Sequence, residues 1–480
     1  MEATRNSVRS GHAPLHWFMT SNEWTRTIFV AVAAAVLLMP FYLEISLWVG
    51  FGILVSVIMF VNIPLVSRFI IPLPQIIVMV ACIQLILAAW GNQYYPSHKP
   101  HFDIGSTISE YLSYAGPAVA ALMLGLFVPL WGIHGGIEYS RPTMANARYA
   151  RRLVKELKIL FIAGIVARVF EGAAPGSLSF FMALAGLLSY VALFGLMFYG
   201  VRNWERYAAI LLSIELLFAL TSGSFHGLLL WGMIFVLVLS NIRKWGVKTL
   251  RIMLVGLFAI LLLQAVKQVY RDHFWYGEST GYSQSRVVAF VEMTADVLME
   301  PGKLFNEQHI ADTLVRLNQG WIVNRVMIWT PRYQPYAEGE TLVRSVQAIV
   351  PRVLMPGKAS TAGRVDFERY TGHTLWKGTS MGLGYAGEMY ANFGHWGGVL
   401  GVGIYGLLLG LGFRFIYKMA KVNPLWWAWG AYFFLIAVKA ETTVGFVLNW
   451  SVKAVIVMAL VLLVSPAMRH SLFPQKGSSR

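Results

Sequence analysis

Runs of about 18 or more apolar residues recur along this chain between short polar interruptions, and that single feature constrains the fold most. A helix needs about 20 such residues to cross the hydrocarbon core, and only helices or closed barrels satisfy their backbone polar groups there. The balance of residues agrees: 57% of the 480 residues are hydrophobic and 13% are charged, against roughly 25% charged in soluble domains. A soluble globular protein is excluded. The expected class is all-α, a polytopic helical membrane protein with about twelve transmembrane helices and one large, partly helical loop on the periplasm-like side.

The expected spans cover about 27–42, 47–66, 75–90, 111–133, 159–170, 178–199, 207–220, 225–240, 252–266, 396–417, 425–438 and 452–464. No small-residue cleavage site follows the first apolar stretch, which therefore reads as a retained anchor. Five regions follow: a cytoplasmic segment at 1–26, nine spans over 27–266, the large loop at 267–394, three spans over 395–468 and a cytoplasmic tail at 469–480. Cys82 is the single cysteine and lies in an apolar run, so no intrachain disulfide forms.

Net charge is +16, and its location decides what it means. The large loop carries 13 Lys or Arg and 12 Asp or Glu, so the excess lies in short loops and tails. Arg141, Arg148, Arg151, Arg152, Lys155 and Lys158 form the most basic stretch; Arg202 with Arg206, Arg243 with Lys244, Lys248 and Arg251, and Lys418 with Lys421 follow at alternate loops. One orientation puts every basic loop in the cytoplasm, with both termini inside and the large loop outside. Nucleic acid is a poor partner for such a chain; membrane lipids are the expected one.

The large loop runs to roughly 130 residues, far above the usual connection of about 4 to 6. Within it, "SRVVAFVEMTADVL" and "QHIADTLVRLNQGWIVNRVMIW" space apolar residues by three and four, as amphipathic helices lying on the spans would. From Thr330 to Lys377 the density of Pro, Gly and Arg predicts irregular backbone. That half presents Arg316, Arg325, Arg332, Arg344, Arg352, Lys358 and Arg364 across and beside it. A guanidinium matches phosphate oxygens as a planar fork and an ammonium acts as a point charge. Taken singly, each more often pairs with Glu338, Glu340, Asp366 or Glu368 or snorkels to headgroups; as a set they favour a phosphate.

Glu388, just before a span in a Gly-rich aromatic stretch, is the first candidate general base, and His373 and His395 compete for that role. The bland reading of Glu388 is an interfacial carboxylate bonded to Tyr390, Asn392 or an arginine. "GVGIYG", 401–406, matches a dinucleotide fingerprint in form, but no strand precedes it; Gly397, Gly401, Gly406 and Gly410, spaced by about four, predict close helix packing instead. "HKPHFD", 98–103, offers His and Asp without a second cluster and is weak as a metal site. Arg168, Glu215, Lys439 and Lys453 fall in or near spans, where charge is usually paired or functional.

Two stretches carry a family resemblance: "TPRYQPYAEGETLVRSVQAIVPRVLMPGK", with Pro351, Arg352, Pro356 and Lys358, and "GYAGEMYANFGHWGG", with Glu388, Tyr390, Asn392, Phe393, Gly394, Gly397 and Gly398. With a dozen spans and one late outer loop, the chain resembles the Wzy-type O-antigen and exopolysaccharide polymerases. The tight "TSGSFHG" turn is similar too, although that group often has an arginine where Phe225 or His226 stands.

The resemblance implies a bacterial inner-membrane glycosyltransferase, free of metal and cofactor and related to O-antigen ligases. Its donor would be a glycan on undecaprenyl pyrophosphate, and its acceptor the sugar hydroxyl of another lipid-linked repeat unit. It would work beside a flippase and a chain-length regulator. By the same token Glu388, His373 or His395 would take the acceptor proton. Arg316, Arg325, Arg344, Arg352, Lys358 and Arg364, with Asn392, would hold the substrate. A ligase of the same fold is the nearest alternative, and a lipid-linked oligosaccharide flippase is the alternative of another class.

Overall fold

The computed structural model describes residues 45–474 apart from 68–69, 97–101, 134–146, 175, 223–224, 276–280, 301, 303–306, 350–362, 377–378 and 380. Among the described residues the secondary structure is helical throughout. The helices are α1 (Leu47–Ser67), α2 (Leu73–Gly91), α3 (Ile108–Phe127), α4 (Ala147–Phe170), α5 (Gly176–Phe198), α6 (Trp204–Ser222), α7 (His226–Arg243) and α8 (Val247–Trp275). The large loop contributes α9 (Arg286–Met299), α10 (Glu307–Leu317), α11 (Gly320–Trp329), α12 (Glu340–Ile349) and α13 (Gly363–Thr371). The chain closes with α14 (Gly384–Ala420), α15 (Leu425–Phe434), α16 (Val444–Val464) and α17 (Pro466–Leu472). Eight of these, α1, α2, α3, α5, α7, α8, α14 and α16, are long and apolar enough to cross a membrane. The first expected span, 27–42, lies outside the described residues; each of the others falls on a helix.

Polar cross-links between helices gather at two ends of the bundle. At one end the Ser240 hydroxyl shares hydrogen bonds with Ser67 at 2.7 Å and Thr249 at 2.6 Å, and Tyr199 donates to Asn423 at 3.0 Å. Glu156 there accepts the Met468 amide at 3.0 Å, covering an open N–H of α17. Arg202, Arg243, Lys248 and Lys418 lie on this end, by their places at the ends of α5, α7, α8 and α14. At the opposite end Tyr111 donates to the Leu85 carbonyl and Tyr114 to the Ala386 carbonyl, each at 2.7 Å. The described helices between α8 and α14 pack onto this second end.

Two features of the large loop depart from the sequence expectation. The half expected to be irregular holds two short helices, α12 and α13, because its prolines all fall outside them and its glycines fall outside them or, as Gly363 does, at a helix start. Its edges differ too. α8 runs past residue 267 to Trp275, and α14 begins at Gly384, ten residues before the expected end at 394.

α14 is not one rod. At Gly394 the backbone leaves helical geometry (φ 70°, ψ −159°), and the chain folds back on itself. Tyr385 and Tyr405 would stand about 30 Å apart in a continuous helix, yet their rings stack with centroids 5.4 Å apart. A Cβ placed on Gly398 would lie 3.2 Å from the Tyr390 Cα, and one on Gly401 would press into the Met389 side chain at 2.7 Å. The arm 384–393 therefore runs antiparallel to the arm 395–420, reaching about 15 Å down its side. Gly397 and Gly401 serve this fold-back. Gly406 and Gly410 serve α3: a Cβ on either would meet the Leu122 or Leu126 carbonyl oxygen at 2.6 and 2.5 Å, the close approach that small residues permit between membrane helices.

Candidate functional site

The second end of the bundle is built around irregular backbone below the helix tops. α2 contains a π-helical turn, Ile83–Leu87, of the kind that frees a carbonyl from its intrahelical bond. The Gln84 carbonyl accepts the Gln319 amide at 3.0 Å, and its side-chain Oε1 accepts the Ala440 amide at 3.0 Å. Gln84 thus ties the α10–α11 elbow to the turn that joins α15 to α16. Asn318 fixes the same elbow by accepting the Trp321 amide at 3.2 Å, satisfying one of the open amides in the first turn of α11. The turn at 439–443 lies against the start of α14, where a Cβ on Gly384 would meet the Ala440 carbonyl oxygen at 2.5 Å.

Charged side chains converge where these pieces meet. Lys267 on α8 lies within electrostatic reach of Arg271 one turn on, of Arg316 at the end of α10 and of Glu441 on the 439–443 turn. His226, the first residue of α7, lies within reach of Lys267, Lys439 and Glu441. Lys439 and Glu441 form an ion pair at 3.3 Å, with side chains 24% and 44% exposed. At the edge of the group, His309 sits beside Asp312 and Arg316, and burial holds its imidazole below the ordinary histidine range. The end of α6 is held by α8 and by the start of α9: Tyr270 donates to the Leu220 carbonyl and Arg286 to the Thr221 carbonyl, both at 2.6 Å. Lys267, Arg271, Arg316 and Lys439 thus gather half-buried with His226 and Glu441, an arrangement whose chemistry suits an anion with several oxygens.

Glu388 is placed differently. It is 3% exposed, on the fold-back arm of α14, and its Oε2 accepts the Val444 amide at 2.7 Å. The Gly445 amide and the Thr341 hydroxyl also bond it. A carboxylate set against the first two amides of α16 satisfies orphan donors and complements the helix dipole. Asn392, 1% exposed, spends its whole amide on the fold: Nδ2 donates to Thr341 Oγ1 and to the Glu388 carbonyl, each at 2.7 Å, and Oδ1 accepts the Gly339 amide at 2.9 Å. Together they clamp α12 to α14 and α16.

The remaining sequence candidates separate. Arg344 pairs with Asp366 at 2.5 Å and with Glu340 at 3.5 Å. Arg364 pairs with Glu368 at 3.0 Å and donates to the Leu375 and Trp376 carbonyls. The Leu375 amide, and after it the Arg364 guanidinium, hold the Glu368 carboxyl below the usual carboxylate range. Arg325 is half-buried on α11, with an Nε that has no hydrogen-bond partner among the described residues. Arg332 lies 5.3 Å over the Tyr333 ring. His373 and His395 stand among aromatic rings, against Phe367 and Trp321 and against Tyr114 and Trp396 respectively. Arg352 and Lys358 lie outside the described residues, as do His98 and His101; Asp103 accepts from Asn92 at 2.9 Å. Arg168, on α4, pairs with Glu215 at 3.2 Å and with Glu171.

Of the candidates read from sequence as substrate-binding, Arg316 joins the convergent cluster. Lys267, Arg271 and Glu441 are not among those candidates, although Lys267 and Arg271 stand four residues apart at the end of an apolar helix and so share a face.

Residues 114–411 match a family model described as a domain of unknown function, DUF8712. The chain belongs to that family. The matched stretch of this DUF8712 protein begins in α3 and ends in α14, taking in Lys267, Arg271, Arg316 and Glu388 and stopping before Lys439 and Glu441. No curated protein matches the chain, and no solved structure does.

Proposed function

We propose that this protein is a polysaccharide polymerase that transfers a growing glycan from undecaprenyl pyrophosphate to the sugar hydroxyl of another lipid-linked repeat unit. The convergence of Lys267, Arg271, Arg316 and Lys439 at the bundle end opposite the basic loops carries this reading. By the positive-inside rule the basic loops face the cytoplasm, which puts the cluster on the outer side of a bacterial inner membrane. With the first expected span, the chain has twelve crossings and both termini inside. Irregular backbone at membrane depth is tolerated where it lines a polar hollow, and on this reading the π turn, the α10–α11 elbow and the 439–443 turn would be such backbone.

The chemistry follows from the charges. The acceptor oxygen bonds to the anomeric carbon, the bond from that carbon to the phosphate oxygen breaks, and the pyrophosphate departs with the electron pair. Preset cations aimed at the charge growing on that leaving group are the largest expected electrostatic contribution. The resemblance to Wzy-type polymerases supplies the sugar-transfer half of the reading, and the cluster supplies the pyrophosphate half.

The test uses purified full-length protein in lipid nanodiscs with lipid-linked repeat units extracted from cells that lack this chain. Wild type is expected to give a ladder of longer products. Arg316→Ala and Lys267→Met are each expected to shorten it sharply, with elongation down about 100-fold or more. No elongation by folded wild-type protein overturns the reading.

A further inference from the structure

We infer that Glu441 is the group that accepts the proton of the attacking sugar hydroxyl; the inference rests on the polymerase reading and names a catalytic residue within that site. Two glutamates border the break between α15 and α16, and their surroundings differ. Glu388 is 3% exposed and committed to the N-terminus of α16. Glu441 stands on the turn itself, 44% exposed, with Oε1 held by Lys439 at 3.3 Å.

It is also the carboxylate that both His226 and Lys267 face. A base must lie within hydrogen-bond reach of the proton it takes. Cations that bind the donor pyrophosphate draw the anomeric carbon to this turn, and Glu441 lies among them.

The backbone holds Glu441 where this requires. The Thr442 amide donates to the Lys439 carbonyl at 3.2 Å, closing the turn, and the Ala440 amide is fixed by Gln84 at 3.0 Å. Gly382 lets the chain pass close beneath: a Cβ there would lie 3.2 Å from the Glu441 carbonyl oxygen. In the step, the hydroxyl oxygen forms the new bond to the anomeric carbon and its proton passes to the Glu441 carboxylate. The pyrophosphate leaves with the electron pair of the broken bond, and Glu441 then returns its proton to water.

The experiment compares Glu441→Gln and Glu441→Asp with wild type on two readouts: elongation of extracted lipid-linked repeat units, and binding of farnesyl pyrophosphate as a probe of the cationic cluster. Loss of general-base assistance is expected to lower elongation by Glu441→Gln about 100-fold or more, with probe affinity within about threefold of wild type. Glu441→Asp is expected to keep probe binding and to elongate at an intermediate rate; it decides the question if the glutamine variant does not fold. Formate added to Glu441→Ala is expected to restore part of the rate, which a structural role would not show. Elongation by Glu441→Gln within tenfold of wild type, or a loss of probe binding in proportion to the loss of rate, overturns the assignment. A wild-type protein that binds the probe without elongating removes the polymerase reading itself.

Discussion

Glu388 and Glu441 show how surroundings divide two identical side chains between structure and chemistry. Glu388 is sealed against the Val444 amide, so its removal leaves buried donors at the start of α16 without a partner. Glu388→Ala is therefore expected to destabilise the fold by about 2 kcal/mol, read as a drop in the thermal transition of detergent-solubilised protein. Glu388→Gln, which keeps an acceptor of the same length, is expected to cost less and to retain elongation at a permissive temperature. A ladder abolished by Glu388→Gln in a protein with an undisturbed thermal transition would return the base to Glu388. Both glutamates are visible in the sequence. Their difference is not, because it depends on which amides lie within 3 Å after folding.

At the scale of elements, the fold-back of α14 positions the most. Gly394 holds φ at 70°, and a Cβ there would press on the Tyr336 ring at 3.0 Å. Gly394→Ala is expected to cost at least about 1–2 kcal/mol from backbone conformation alone. It should loosen the arm 384–393 first, seen as faster amide exchange at Tyr385–Tyr390 than in α3. The sequence marks this stretch as rich in glycine and predicts helix packing from the spacing of its glycines. It does not distinguish Gly406 and Gly410, which face α3, from Gly397 and Gly401, which face the same helix after it turns back. One glycine in left-handed geometry makes that distinction, and helical periodicity reads the same on either side of it. The arginines of α12 and α13 divide the same way: Arg364 pairs with Glu368 one turn along its own helix, which spacing alone shows, whereas Arg344 meets Asp366 only when α12 and α13 pack.

For the whole molecule the testable statement is orientation. Cys82, the single cysteine, is buried, so the wild-type chain offers a silent background for labelling. Tyr333→Cys, at a position 58% exposed at the second end, is expected to react with a membrane-impermeant maleimide on intact spheroplasts. Lys418→Cys, exposed at the basic end, is expected to react only after the membrane is opened. The reverse pattern would put the cationic cluster in the cytoplasm and end the proposal.

The sequence by itself determined the all-helical membrane class and the places of the apolar helices, because such a helix is a local property: about 20 apolar residues in a row. It also marked the late polar segment as the part that differs from a plain bundle. Only the tertiary structure decided where charge converges. Lys267, Arg316 and Glu441 are separated by more than a hundred residues of chain in total, and they meet because a π turn in α2 and a fold-back in α14 let irregular backbone sink between the helices. No periodicity encodes that meeting. It arises when each buried amide must find an acceptor, and Gln84 and Glu388 are where those acceptors stand.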